Sequence, residues 1–165
     1  MADLGALDQA RPLWFMPAEL PESCIPLMEQ LLADKRLGTD DIWERLRRLL
    51  EAKKLGAAKG TAAYLPVGQA PSAKTLDAIA DKPLRHLALL PPNFAASRQG
   101  REMALFAVQR LARTDPAQAA QQWEGIRDKV SAADGAYIYA QLGWQAALRH
   151  LPEALAWYAK AGSAP

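Results

Sequence analysis

The sequence predicts an all-α protein: a superhelix or solenoid of about nine helices packed as antiparallel pairs. Three observations lead there. Alanine and leucine supply 58 of the 165 residues, whereas valine, isoleucine and threonine supply only 12. The first two are strong helix formers and the β-branched residues favour strands. Apolar residues recur at helical spacing in one segment after another, and prolines and capping residues punctuate those segments at short intervals. No alternating strand pattern competes with them.

The stretch before residue 21 is the least regular, with Pro12 and Pro17 around Trp14. The first clear helix starts near Ser23, an N-cap residue, with Pro26 in its first turn and Leu27, Leu31 and Leu32 toward one side; it ends near Arg36. Thr39 is expected to cap a second helix, with Asp40 and Asp41 against its positive end. Ile42, Trp43, Leu46, Leu49 and Leu50 form its stripe, and Glu44 and Arg48 stand one turn apart on the other side. A third, alanine-rich helix runs from about Leu55 to Leu65 and stops at Pro66. Gly56 and Gly60, one turn apart, are expected to let another helix approach.

Ser72 caps a short helix to about Asp81, and another follows Pro83. After the Pro91-Pro92-Asn93 break, a longer helix covers Ser97 to Arg113, with Met103, Phe106 and Leu111 inward and Arg98, Glu102 and Arg110 toward water. Asp115-Pro116 reads as N-cap and first residue of a helix striped by Ala119, Trp123, Ile126 and Val130. Asp134 is expected to cap the next. That helix carries Tyr137, Ala140, Trp144 and Leu148 on one face and Ile138 and Leu142 on another, so it should lie between neighbours. Pro152 opens the last helix, with Ala154, Trp157, Tyr158 and Ala161 inward. Short loops between successive helices are how a solenoid of helix pairs is laid down, so residues 1–165 read as one α-superhelical segment. The order of small and aromatic residues from Tyr139 to Ala161 resembles one tetratricopeptide-type helix pair.

Composition narrows the function. A net charge of +2 does not call for nucleic acid. The basic stretch Lys35 to Lys59 is interleaved with Asp34, Asp40, Asp41, Glu44 and Glu51, as on a solvated helix face. No apolar run approaches the ~20 residues of a membrane span. Met-Ala-Asp-Leu-Gly at the start is not a secretory signal, which leaves a cytoplasmic protein or one whose leader lies outside these residues. Cys24 is a lone cysteine, expected to be a small, partly buried thiol.

Neither His86 nor His150 has metal-ligand neighbours in sequence, and no phosphate-binding glycine loop is present. No catalytic, metal or cofactor site is expected. Trp43, Trp123, Trp144 and Trp157 lie on apolar stripes and are expected in the core. Trp14 is the one candidate for an exposed aromatic that contacts a ligand.

Several segments, in order, resemble the superhelical, non-catalytic region of soluble lytic murein transglycosylases. Cys24-Ile25-Pro26-Leu27-Met28 resembles that family's Cys-x-x-Leu-Phe helix start, and Leu37 to Arg45 resembles its Leu-Thr…Trp-x-Arg element. Leu55 to Pro66 resembles its Gly…Ala…Leu…Leu-Pro helix, and Arg101 to Asp115 its central helix pair. The tail from Tyr137 to Ala161 fits the helices that follow. The resemblance runs from about Pro21 onward. It implies a periplasmic protein whose lysozyme-like catalytic domain lies outside this chain and cleaves the bond between N-acetylmuramic acid and N-acetylglucosamine, leaving a 1,6-anhydro sugar.

The family's catalytic surroundings are Glu-Ser, Gly-Leu-Met-Gln and Ala-x-Asn-x-Gly. Glu22-Ser23 reproduces the first, but no Gly-Leu-Met-Gln is present, and the single asparagine is Asn93 in Pro-Pro-Asn-Phe. Glu22 therefore reads as a helix-start charge. In relatives, the cysteine at the position of Cys24 can pair with one a helix upstream; this chain has no second cysteine. The expected role is a scaffold whose concave surface meets peptidoglycan glycan strands or cell-wall enzymes. The alternative is a free-standing tetratricopeptide-like adaptor for a peptide or protein.

Overall fold

The computed structural model describes residues 4–162, which form ten α-helices, and no strand occurs among the described residues. The chain divides into two compact units, Met1–Ala73 and Lys74–Pro165.

The first unit contains α1 (Leu4–Trp14), a 3-10 turn at Glu22–Cys24, α2 (Ile25–Ala33), α3 (Thr39–Glu51) and α4 (Leu55–Ala62). The helix α1 was not expected. Its signal is nevertheless in the sequence: Leu7, Ala10 and Trp14 sit at helical spacing and are all buried. Pro12 lies inside its last turn, where it withholds an N–H from the Asp8 carbonyl, and the helix stops two residues later. The expected stripe of α3 is buried in full, from Ile42 to Leu50, and the Glu44–Arg48 pair closes at 2.8 Å on the water side.

Two capping expectations in this unit are corrected. Ser23 does not cap α2: the N-cap position falls on Cys24 and no side chain accepts there. Thr39 is the first residue of α3 and Gly38 its cap, with the Asp41 carboxylate accepting the Gly38 N–H at 2.8 Å. The acid three residues in thus makes the return half of a capping box, and no side chain accepts at the cap position itself.

Helices α2, α3 and the later α9 (Ala132–Leu148) end alike. Lys35, Lys53 and His150 adopt positive φ of 57°, 61° and 55°. The following N–H groups of Arg36, Lys54 and Leu151 reach back to the carbonyls of Leu31, Leu49 and Ala146. This is the Schellman closure, here made without glycine. An L-residue in that region costs roughly 1–2 kcal/mol. From each of these ends the chain enters the next helix within a few residues.

The second unit contains α5 (Ala73–Asp81), α6 (Pro83–Ala88), a 3-10 turn at Phe94–Ala96, α7 (Arg98–Ala112), α8 (Pro116–Glu124), a 3-10 turn at Arg127–Lys129, α9 (Ala132–Leu148) and α10 (Glu153–Ala161). Its centre is α7, with α6, α8 and α9 packed against it. Ten of the fifteen residues of α7 are buried, Glu102 and Gln109 among them. Glu102 was expected in water; instead it is 5% exposed and pairs with Arg98 at 3.0 Å. Ser97, expected as the first residue of the helix, caps α7 by accepting from Gly100 N–H, and Asp115 caps α8 ahead of Pro116 by accepting from Gln118 N–H, as expected. Asp134 does not cap α9: Ser131 does, accepting the Asp134 N–H at 3.1 Å, and the acid lies in the first turn.

As expected, α9 also lies between neighbours, packed against α7, α8 and α10. Ile138, Tyr139, Leu142, Gly143 and Ala146 are buried on it, whereas Trp144, expected in the core, is 56% exposed. The α9–α10 pair is close: a Cβ on Gly143 would stand 3.0 Å from the Tyr158 ring. Gly143 lies near the end of α9 and Tyr158 a similar distance past the start of α10, so the two run antiparallel. The Trp123 and Tyr139 rings meet edge to face at 6.0 Å, joining α8 to α9.

Candidate functional site

The one aromatic expected to meet a ligand, Trp14, is not at the surface. It retains 1% exposure. Its indole Nε1 donates to the Asp41 carbonyl at 2.9 Å, which ties the end of α1 to the first turn of α3. One side of the ring faces the Arg45 guanidinium, 5.3 Å from the ring centroid, and Tyr64 meets it edge-on at 6.0 Å. The ring still borders an opening. A cavity of about 240 Å³ lies within the first unit, lined by Trp14, Glu19, Ile25, Arg45, Gly60, Tyr64 and neighbouring residues from α2 and α4.

Arg45, the arginine of the Trp-x-Arg resemblance, was not expected as a site residue. It lies on α3 among the leucine stripe and is 3% exposed. Its Nη1 donates to the carbonyls of Trp14 and Met16 at 2.8 and 2.9 Å, and its Nη2 to that of Ala18 at 3.0 Å. On the same side of α3, Arg48 donates to the Phe15 carbonyl at 3.1 Å. Two arginines of α3 thus hold the last carbonyl of α1, that of Trp14, and three carbonyls of the turn that follows it. A planar guanidinium can serve three carbonyls at once where an ammonium could not hold the same geometry.

The charge on Arg45 is uncompensated. Among the described residues no carboxylate bonds to it. Burial pushes its pKa down, and the opposing influence comes from Tyr64. The Tyr64 hydroxyl is in turn pushed up, first by burial and then by the charge of Glu29. The site therefore keeps a cation and a neutral phenol beside a mostly apolar wall.

That wall explains the two glycines of α4. Gly56 and Gly60 are not covered by a helix. A Cβ on Gly60 would meet nothing within 4 Å, and one on Gly56 would meet only the Glu19 carboxylate at 3.9 Å. Gly60 borders the cavity with Ala57 and Thr61. The close helix contact that the sequence suggested at Gly60 occurs instead at Gly143.

Glu22 and Ser23 are exposed in the 3-10 turn before α2. Cys24 is a free, half-buried thiol. Trp43 and Trp123 are buried as expected, Trp157 is half-buried, and Trp144 departs from that expectation. Among the described residues no group of three or more His, Cys, Asp or Glu could hold a metal ion, and no helix is long and apolar enough to cross a membrane. In the second unit a separate cavity of about 370 Å³ is bordered by His86, Asn93, Phe94 and Gln99. The His86 Nε2 is buried without a hydrogen-bond partner, and burial pushes the imidazole pKa down from its ordinary 6.5.

No protein-family profile and no curated protein sequence matches the chain. Among solved structures, an inactive mutant of the lytic transglycosylase Slt from Pseudomonas aeruginosa is similar at a TM-score of 0.74, covering 96% of this chain at 21% identity. The chain spans about a quarter of the length of that protein, 26%. What the two share at this identity is the fold.

Proposed function

We propose that the chain is a non-catalytic helical scaffold of a peptidoglycan-cleaving lytic transglycosylase, acting in the periplasm on glycan strands. The observation that carries this reading is the fold match to a lytic transglycosylase along 96% of the chain. The ordered segments from Cys24 to Ala161, each of which resembles the corresponding element of that family's superhelix, support it. In this reading the lysozyme-like domain that forms the 1,6-anhydro product lies outside these residues, and the helix pairs hold it against the sugar polymer. A stack of helix pairs suits that task because it offers a long binding face without a deep pocket. Glu22, exposed in a turn beside Ser23, has no part in cleavage.

Purified chain incubated with cell-wall sacculi should sediment with them and release no anhydromuropeptide. Release of product would place a catalytic centre here and overturn the reading. Failure to sediment at low ionic strength would overturn the scaffold role and leave the adaptor alternative, in which the helix pairs hold a peptide.

A further inference from the structure

We propose that the cavity of the first unit is a carboxylate-binding site, in which Arg45 supplies the charge, Trp14 and Tyr64 the aromatic wall, and Gly60 the space for entry.

Four observations converge on it. First, Arg45 is a buried cation, 3% exposed, with carbonyls as its hydrogen-bond partners and no bonded carboxylate among the described residues. Three carbonyls neutralise part of a guanidinium's field but supply no net negative charge, and a buried unpaired ion is among the least favourable groups in a core. An entering carboxylate would supply what is missing, in the geometry that guanidinium groups match best. Second, the space exists: about 240 Å³ beside that charge, bordered by the hydroxyl-bearing Thr61 and Tyr64. Third, the Cβ position of Gly60 is open, so the α4 wall is recessed where a packing contact would otherwise be expected. Fourth, burial lowers the Arg45 pKa and the influence that opposes it comes from Tyr64 and not from a carboxylate, so an anion that binds there stabilises the charged form.

Glu19 also borders the cavity and is exposed. It disfavours a ligand with several negative charges and favours one with a single carboxylate and a nearby N–H or O–H donor. A peptide C-terminus and a sugar acid both meet that description. This site is independent of the scaffold role proposed above.

The test uses the whole chain titrated with N-acetylalanine, N-acetylalaninamide and N-acetylmuramic acid, followed by amide chemical shifts and calorimetry. At least one acid should bind at least tenfold more tightly than the neutral amide, with shifts centred on the lining residues of α3 and α4. Which acid binds identifies the source as peptide or sugar. Gly60→Leu should abolish binding while leaving the unfolding midpoint unchanged or raised, because the leucine fills open space on a helix. Arg45→Gln should remove the preference for acid over amide wherever that variant remains folded. Equal binding of acid and amide, binding by neither acid, or full affinity in Gly60→Leu would each overturn the proposal.

Discussion

The two units stabilise their helices by different means. In Met1–Ala73 the centre of α3 holds an arginine, and the end of α1 is fastened by polar contacts from Arg45, Arg48 and the Trp14 indole. A cavity remains beside them. In Lys74–Pro165 the centre is a close-packed helix, α7, and two helical glycines, Gly100 and Gly143, mark contact rather than space. A Cβ on Gly100 would fall 1.9 Å from the Phe94 carbonyl oxygen, and one on Gly143 would press on the Tyr158 ring. The difference teaches that one residue type carries opposite meanings. A helical glycine is a contact where a neighbour covers it and an opening where none does.

The largest test of this contrast is Arg45→Ala. It removes one donor group from three carbonyls and leaves the end of α1 open. Of the three bonds only the one to the Trp14 carbonyl is fully buried, and a buried acceptor left without its partner costs about 1–3 kcal/mol, so a loss of that size is expected in urea unfolding. Hydrogen exchange should quicken first in α1 and the turn that follows. A loss under about 1 kcal/mol would mean that water entering the cavity replaces the guanidinium, and that the polar fastening is dispensable.

A matched pair of substitutions then separates contact from space. Gly143→Ala should destabilise by about 1 kcal/mol, because overpacking costs about 1–3 kcal/mol and the helix preference of alanine returns roughly 1. Gly60→Ala should stabilise by about 0.5–1 kcal/mol, since nothing opposes the added methyl. Effects of the same sign at both positions would erase the distinction between the units.

Much of this fold was legible in the sequence. The α3 stripe was read in full, because one apolar face opposed one charged face. The cap at Asp115 was read from its place just before Pro116 and an apolar stripe. The failures share a cause, which is that sequence shows what a face is made of but not what covers it. Trp144 and Ile138 lie on equally apolar faces of α9, and only packing decides that the first stays in water. Glu102 looked solvated because charge usually is, but Arg98 one turn earlier lets it enter the core. Trp14 was misplaced because two prolines hid a helix that Leu7 and Ala10 still mark. Arg45 was invisible as a site residue because its partners are backbone carbonyls, which no side-chain pattern records.

The corrected caps give a smaller test. Ser131→Ala should cost about 1 kcal/mol, because its hydroxyl accepts the Asp134 N–H at the start of α9. Ser23→Ala should stay within about 0.5 kcal/mol, since α2 begins without a side-chain cap. Equal losses at the two serines would restore Ser23 as a cap.

The smallest effect expected is a pH slope confined to the second unit. Burial disfavours the charged imidazole of His86, so its folded pKa lies below the ordinary 6.5. Between those two values the unfolded chain binds a proton that the folded chain does not. Stability attributable to His86 is therefore complete above pH 6.5 and falls as pH drops through 6.5 toward the folded pKa. The comparison that isolates it is wild type against His86→Gln, unfolded in urea from pH 7.5 to 5. The wild type should lose more stability across that range, and the two curves should run parallel above it. A wild-type slope no steeper than that of the variant would mean that the second unit admits a charged imidazole beside its cavity. In that case the two units would differ less in their tolerance of buried charge than Arg45 and His86 now indicate.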